Sequence, residues 1–542
     1  MSSHTTTGAS VTESTPPRHP RALEPATLII TILLSVGGAV IGLHLVTTLG
    51  ISANTSVIGA LVAMVMGRLS FLGLSRFRSI HRQNLAQSSI SGATFAAANS
   101  LLTPIAIPFA IGRPDLVWPM LIGASFALLV DGFILYRAFG SEFLPATAAW
   151  PPGVAAAETI KAGDRGGRRA LVLAGGAAVG VGASFFGLPM SAFGVAFLGN
   201  VWALSMFAVG LITNQIVPAT TGISLSAAFI PHGVMIGAGL IALFQAARIL
   251  LSKRTEKLAE DVEGTADPSL ASTVSRRTLR AVLRNGFALY LGGAVLIAVV
   301  GGLWTELTWY ALIGWVLFAA VAAIVHELIV GLAAMHSGWF PAFAVTLIFM
   351  VIGLLIGIPV VPLAMLTGYC AATGPAFADM GYDLKAGWIL RRGERPYTRF
   401  ELDGRKQQFI SSVIGFLVAI AMVAILWQPF FANAQIPPVS KVFADTITQG
   451  LADPGIWLTL ALWAIPGALI QLIGGAKRQM GVMLATGLLI ATPWAGVLVV
   501  LGLIARVVWE KWRGEKGHNE VVLFGAGIIA GDAVWGTAQV FK

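Results

Sequence analysis

From Ala26 onward, apolar runs of about 20 residues alternate with short polar stretches. Runs of that length cross a hydrocarbon layer about 30 Å thick as helices. They are read as helices rather than strands because a backbone exposed to lipid must satisfy its own hydrogen bonds. The pattern predicts spans near 26–48, 52–75, 87–111, 116–137, 170–188, 195–213, 222–250, 284–303, 309–334, 340–362, 364–378, 408–428, 455–474, 480–508 and 520–540. The expected fold is an all-α polytopic membrane protein of about fourteen to sixteen transmembrane helices, with broken or re-entrant segments.

The polar punctuation sets the expected orientation. Arg18 and Arg21 precede the first run, Arg76, Arg78 and Arg82 follow the second, and Arg165, Arg168 and Arg169 follow the fourth, which places the N-terminus in the cytoplasm. The stretch Ser252 to Arg284, with six Lys and Arg before its last residue, belongs on the same side. An even number of crossings must then separate Arg169 from Arg248, yet the apolar pattern reads as three. The expected break is "TNQIVPATTG" (Thr213 to Gly222), where Asn214, Gln215, Pro218 and Gly222 interrupt the run. Residues 1–25, rich in Ser, Thr and Pro, read as a disordered cytoplasmic tail. The rest divides into an N-terminal half (26–251), a cytoplasmic linker (252–283) and a C-terminal half (284–542). The halves are weakly alike: "QNLAQSSI" (Gln83 to Ile90) is similar to "QQFISSVI" (Gln407 to Ile414), and "GVMIG" (Gly233 to Gly237) to "GIIAG" (Gly527 to Gly531). Paired halves with broken helices are a recurring transporter plan.

Composition agrees. Of the 542 residues, 56% are hydrophobic and 11% charged, against roughly 25% charged in soluble domains. The net charge of +10 is spread over short clusters between spans, so it reads as topology rather than a nucleic-acid footprint. The single cysteine, Cys370, excludes an intramolecular disulfide. No Gly-rich Lys-Ser/Thr loop for nucleotide phosphates is present, and no paired-His, Cys-His or nucleophile-elbow arrangement suggests an enzyme. "HELIV" begins like a zinc-protease motif but has Val330 where the second His belongs. No cofactor and no bound metal are expected.

Polar residues inside apolar runs are the candidate chemistry. Glu327 lies mid-span, where an ionised carboxylate costs roughly 2.5–3.5 kcal/mol on insertion scales. It is a candidate proton carrier, or else a neutral acid bonded to a neighbouring helix. His326, about 100° away on the helix, belongs to a different face. Asp532 lies in the last span and is the second proton candidate. Asp131 has only Arg137 nearby and reads as a charge at a span end; Glu158 and Lys161 read as a solvated pair. Asn84, Gln87 and Ser88 share one helical face. After Leu328–Ala378, which contains no Asp, Glu, Lys or Arg, the chain places Asp379, Asp383 and Lys385 within "PAFADMGYDLKAGWILRR" (Pro375 to Arg392). The two aspartates are four apart and share a face, whereas Lys385 must find a partner on another helix or in substrate. Arg391 and Arg392 suggest an end at the cytoplasmic surface, so the charges form either a cavity wall or an interfacial anchor.

Four stretches, in order, resemble the oligopeptide transporter (OPT) superfamily, which includes the yellow-stripe-like metal-chelate transporters. They are "RQNLAQSSISGAT" (Arg82 to Thr94), "LPATAAWPPGVAAAETIKAGD" (Leu144 to Asp164), "ADMGYDLKAGWILRR" with "RKQQFISSVIG" (Ala378 to Arg392, Arg405 to Gly415), and "GAGIIAGDAVWG" (Gly525 to Gly536). The chain departs from the family pattern at Arg82, where an acidic residue is usual, and at Pro151–Gly153, which stands for Pro-Glu-Gly. "ERPYTRFELDG" (Glu394 to Gly404) reads as an insertion. The resemblance implies a secondary active transporter of small peptides or peptide-like compounds, with chelate uptake as the alternative. Asn84, Gln87, Ser88, Asn214, Gln215, Thr220, His336, Asp379, Asp383 and Lys385 are the expected substrate-binding set, with Glu327 and Asp532 coupling protons. The implied partners are a small-molecule substrate, protons and the lipid bilayer, with homo-oligomerisation open.

Overall fold

The computed structural model describes residues 19–50, 59, 78–162, 168–250, 272–337, 342–394, 397–452, 455–490, 492 and 494–539. Apart from Gly59, the expected span 52–75 lies outside them, as do Arg76 and Arg165, most of the linker and Gly338–Pro341. Every regular element among the described residues is helical, and nine helices are long and apolar enough to cross a membrane. The protein is an all-α polytopic membrane protein.

In chain order the helices are α1 (Pro25–Thr48), α2 (Ile80–Ala110), α3 (Val117–Ala138), α4 (Pro151–Ala162), α5 (Arg168–Phe185), α6 (Met190–Val195), α7 (Val201–Thr221), α8 (Ile230–Leu250) and α9 (Arg276–Val300). They continue with α10 (Trp309–Ser337), α11 (Ala342–Leu355), α12 (Val360–Ala372), α13 (Pro375–Arg391), α14 (Tyr397–Ala432), α15 (Pro438–Ala452), α16 (Gly455–Arg478), α17 (Met480–Leu488) and α18 (Ala495–Gln539), the last kinked at Gly514.

Most of α2, α3 and α9 to α15 share one large apolar core, and α6, α7 and α18 share a second. Helix α1 joins the two. Its Ala39, Leu43 and Val46 face the first core and its Ile41, Leu45 and Leu49 the second, because positions offset by two residues lie on nearly opposite sides of a helix. Close backbone approach brings the cores' helices together. At Gly415 of α14 a Cβ would overlap the Ser89 carbonyl of α2, so only glycine permits that contact.

Three departures from the expected elements matter. Helix α7 is not broken at Thr213–Gly222. It is capped by Asn200, whose side chain accepts from Trp202 and Ala203 N–H at 3.0 and 3.2 Å, and it runs on to Gly222, the left-handed C-cap at φ 73°. Asn214 and Gln215 do not compete with their own backbone, because they donate to Ile490 O and Thr492 O at 2.9 and 2.7 Å. The irregularity lies earlier, where the six-residue α6 separates α5 from α7. Second, α2 contains a π-helical segment over Ala96–Leu102, which ends two residues before Pro104, whose missing N–H already removes a ladder bond. Third, the expected span 364–378 is two helices. They meet at Gly374, which adopts φ 90° and is tightly packed: a Cβ there would lie 3.0 Å from His326 Nδ1 and from Val330 Cβ.

Candidate functional site

The break at Gly374 makes α13 a helix in its own right, starting at Pro375, a residue suited to a helix's first position. All of α13 except Ile389 is buried. Its polar residues must therefore be satisfied by neighbouring helices. Helix α2 supplies the match: Asn84, Gln87, Ser88 and Ser91 follow i, i+3, i+4, i+7 and so line one face. Gln87 Nε2 donates to Asp383 Oδ1, and Ser91 Oγ to Asp379 Oδ1 at 2.8 Å. The rising number on α2 pairs with the falling number on α13, so the two run antiparallel. Asn84 Nδ2 donates to Gln87 Oε1 at 3.0 Å, and its own Oδ1 has no hydrogen-bond partner among the described residues. Gln408 of α14 completes the wall, donating to Ser88 Oγ and Asp383 O at 3.0 and 2.8 Å.

The far end of α13 is closed by buried charge. Arg391 Nε donates to Glu401 Oε2 at 2.7 Å, and Arg391 Nη1 to Gln408 Oε1 at 2.7 Å. Glu401 also accepts from Arg405 Nη2 at 3.1 Å, and Arg405 Nη1 reaches Phe139 O and Thr273 Oγ1. The side chains of Arg391 and Glu401 are fully buried. Arg391 is therefore not a solvent-facing anchor, and only Arg392 is exposed there. The stretch read as an insertion, Glu394–Gly404, supplies Glu401, within the first turns of α14.

Lys385 finds its partner off the helix. Its Nζ donates to Ala146 O at 2.8 Å and sits 4.2 Å from the centre of the Trp388 ring. Ala146 lies in the stretch leading to Trp150, which is buried at φ 38° and donates its N–H to Met335 O at 2.8 Å. Trp150 was missed in the sequence, although its place beside Pro151 is visible; its ring meets Gly381 of α13.

A second polar centre lies at the start of α13. Asp131 of α3, read as a charge at a span end, is fully buried. Its Oδ2 accepts the Gly374 N–H at 2.7 Å and its Oδ1 accepts the Tyr290 hydroxyl at 2.5 Å. Glu327 of α10 is fully buried too, and neither of its oxygens has a hydrogen-bond partner among the described residues. His326 faces elsewhere, towards Ala342 O, Thr346 Oγ1 and Thr373 Oγ1.

The remaining expected residues lie apart from this wall. Asp532 of α18 accepts from Ser184 Oγ, from Ser191 N–H at 2.6 Å and from His44 Nε2 at 3.2 Å. Asn214 and Gln215 tie α7 to the segment after α17. Thr220 is exposed and bonds back to Ile216 O at 2.9 Å. His336 is partly exposed in the last turn of α10. The structure thus joins Asn84, Gln87, Ser88, Asp379 and Asp383, and leaves Asn214, Gln215, Thr220, His336 and Asp532 outside that group.

The sequence profile of a family described as "OPT oligopeptide transporter protein" matches residues 25–225 and 183–541. No curated protein matches the chain.

Proposed function

The chain belongs to the OPT oligopeptide transporter family, and from that premise we propose that it moves small peptides or peptide-like compounds through the membrane by alternating access, driven by protons. The observation that carries this reading is the buried wall of amide, hydroxyl and carboxylate groups shared by α2, α13 and α14. Such groups are costly inside a membrane bundle, and they match the amides and amine of a short peptide, which need acceptors and donors when stripped of water. Asn84 Oδ1, which has no hydrogen-bond partner among the described residues, is an acceptor for that purpose. Transport then amounts to displacement of the body around α5–α8 and α16–α18 against the body around α2, α3 and α9–α15, with α1 as the shared helix. The N-terminus is on the cytoplasmic side in this reading, and the protein resides in a bacterial inner membrane or another plasma membrane.

The alternative cargo is a metal chelate. It carries carboxylates, for which Lys385 is a buried cation held, among the described residues, by a carbonyl and an indole ring. A thermal-shift screen of the purified protein separates the two, with di- to pentapeptides in one arm and ferric and nickel chelates in the other. Stabilisation by peptides is the expected result, and stabilisation by chelates alone overturns the peptide reading. In proteoliposomes, an inward proton gradient should drive accumulation of the stabilising ligand.

A further inference from the structure

Helices α3 and α9 pack antiparallel: a Cβ at Gly123 would overlap Ile297, and one at Gly286 would overlap Ile134. The last turn of α3 therefore lies beside the first turns of α9. There the two helices leave a cleft of about 270 Å³, lined by Phe133 and Arg137 of α3 and by Arg277, Thr278, Val282 and Asn285 of α9. Arg280 and Arg284 follow Arg277 at i+3 and i+7 and border the cleft. All four arginines are exposed, and none has a carboxylate partner among the described residues. Glu142, the carboxylate that follows α3, is held by Arg276 at 2.6 Å. Arg391 and Arg405, by contrast, share Glu401. Two guanidinium groups lining one cleft without an anion of the protein's own repel each other, and an anion from outside removes that repulsion.

The surface next to the cleft identifies the anion. On α9, Ala288, Gly292, Val295 and Val299 follow Ala281 at i+7, i+11, i+14 and i+18 and form one exposed stripe without a polar side chain. No described atom lies within 4 Å of the place where a Gly292 side chain would begin. On α3, Leu129 and Ile122 continue from Phe133 at i−4 and i−11, and both are exposed. A free phosphate uses the arginines and leaves these apolar tracks idle, whereas a phospholipid uses both. We infer that the cleft seats the headgroup phosphate of an anionic phospholipid, with an acyl chain lying along the α9 stripe. Arg137 and Arg277 can each offer two N–H groups to phosphate oxygens, Thr278 and Asn285 are further donors, and the positive end of the 25-residue α9 adds to the attraction. In the orientation proposed above this end faces the cytoplasm, whose leaflet is rich in anionic lipid. The two arginines stand on either side of the chain segment that holds α4 to α8. A phosphate shared between them reinforces the tie that Thr273 N–H makes to Gly140 O at 2.9 Å.

Native mass spectrometry of the delipidated protein, titrated with dioleoyl phosphatidylglycerol and separately with dioleoyl phosphatidylcholine, tests the site without reference to the cargo. Phosphatidylglycerol should bind the more tightly of the two. Arg137→Gln combined with Arg277→Gln should weaken its binding about thirtyfold, at about fivefold for each arginine. Arg399→Gln should leave the binding unchanged, because Arg399 is exposed at the same end of the bundle, where Arg405 reaches Phe139 O, but does not line the cleft. These side chains are exposed, so thermal unfolding without lipid should match the unmodified protein in every variant. Equal affinity for the two lipids, or equal weakening by Arg399→Gln, overturns the site. Displacement of the lipid by inorganic phosphate, beyond the effect of sodium chloride at the same ionic strength, overturns the lipid assignment in favour of a free anion. Binding that appears only after Glu256, Glu260 and Asp261 of the linker are changed to their amides overturns it too and gives the cleft to the chain's own carboxylates.

Discussion

Asp532 and Glu327 are both carboxylates inside apolar helices, and both are buried, yet their surroundings are opposite. Asp532 is held by a serine hydroxyl, a backbone N–H and a histidine that together bind α18 to α1, α5 and α6. Glu327 has no hydrogen-bond partner among the described residues. A carboxylate with that many donors is stable as a charge and works as a tie between helices, whereas one with none is stable only as a neutral acid. Mid-span position, which made the two look equivalent, says only that a carboxylate is expensive. Its partners say whether it can exchange a proton.

Glu401 belongs with Asp532 and extends the contrast furthest. Glu401→Gln strips the shared counter-charge from Arg391 and Arg405 and should destabilise the protein by about 3–5 kcal/mol, the usual result of breaking a buried ion pair. Thermal unfolding in detergent checks it. Asp532→Asn should come next, at about 3 kcal/mol, since the bonds from Ser184, Ser191 and His44 lose their charged acceptor. Glu327→Gln exchanges one neutral group for another of the same shape and should stay within about 1 kcal/mol of the unmodified protein. Equal losses for the last two would erase the distinction, and Glu327 would then be structural. Gly374→Ala should fall between, at about 2 kcal/mol, because φ 90° strains any side chain and the new Cβ meets His326 and Val330.

The chain's pattern made some of this legible. The all-helical fold follows from run length, and the one-face spacing of Asn84, Gln87 and Ser88 anticipates a polar helix face opposite Asp379 and Asp383. What failed was anything decided by a distant partner. Asn214, Gln215 and Pro218 read as a break because in water such residues turn the chain, but here carbonyls some 276 residues away take the side-chain donors of Asn214 and Gln215. Asp131 read as an end charge because its partners, Tyr290 and Gly374, are 159 and 243 residues away. The π-helical turn of α2 leaves no clear mark beyond Pro104, and Lys385 gives no hint that its partner is a loop carbonyl.

His19 supplies the smallest test, and the reverse case. It precedes α1, is buried against the rings of His81 and Phe400, and burial, helped by the nearby Arg391 guanidinium, lowers its pKa to about 3. It is a buried base kept neutral, as Glu327 is a buried acid kept neutral, but it lies before the first span. The unfolded chain protonates His19 near 6.5, so as pH falls from there towards 3 the unfolded state binds a proton that the folded state refuses. Stability contributed by this group is therefore present above pH 6.5 and lost on acidification, by up to about 1.4 kcal/mol per pH unit. His19→Phe keeps a ring against His81 and Phe400 and removes the titration, so the acid limb of thermal stability should become shallower while the neutral limb stays where it was. An acid limb of unchanged slope would show that His19 is already free to protonate in the folded protein, and that burial alone does not hold a group neutral ahead of the first span as it does for Glu327 within one.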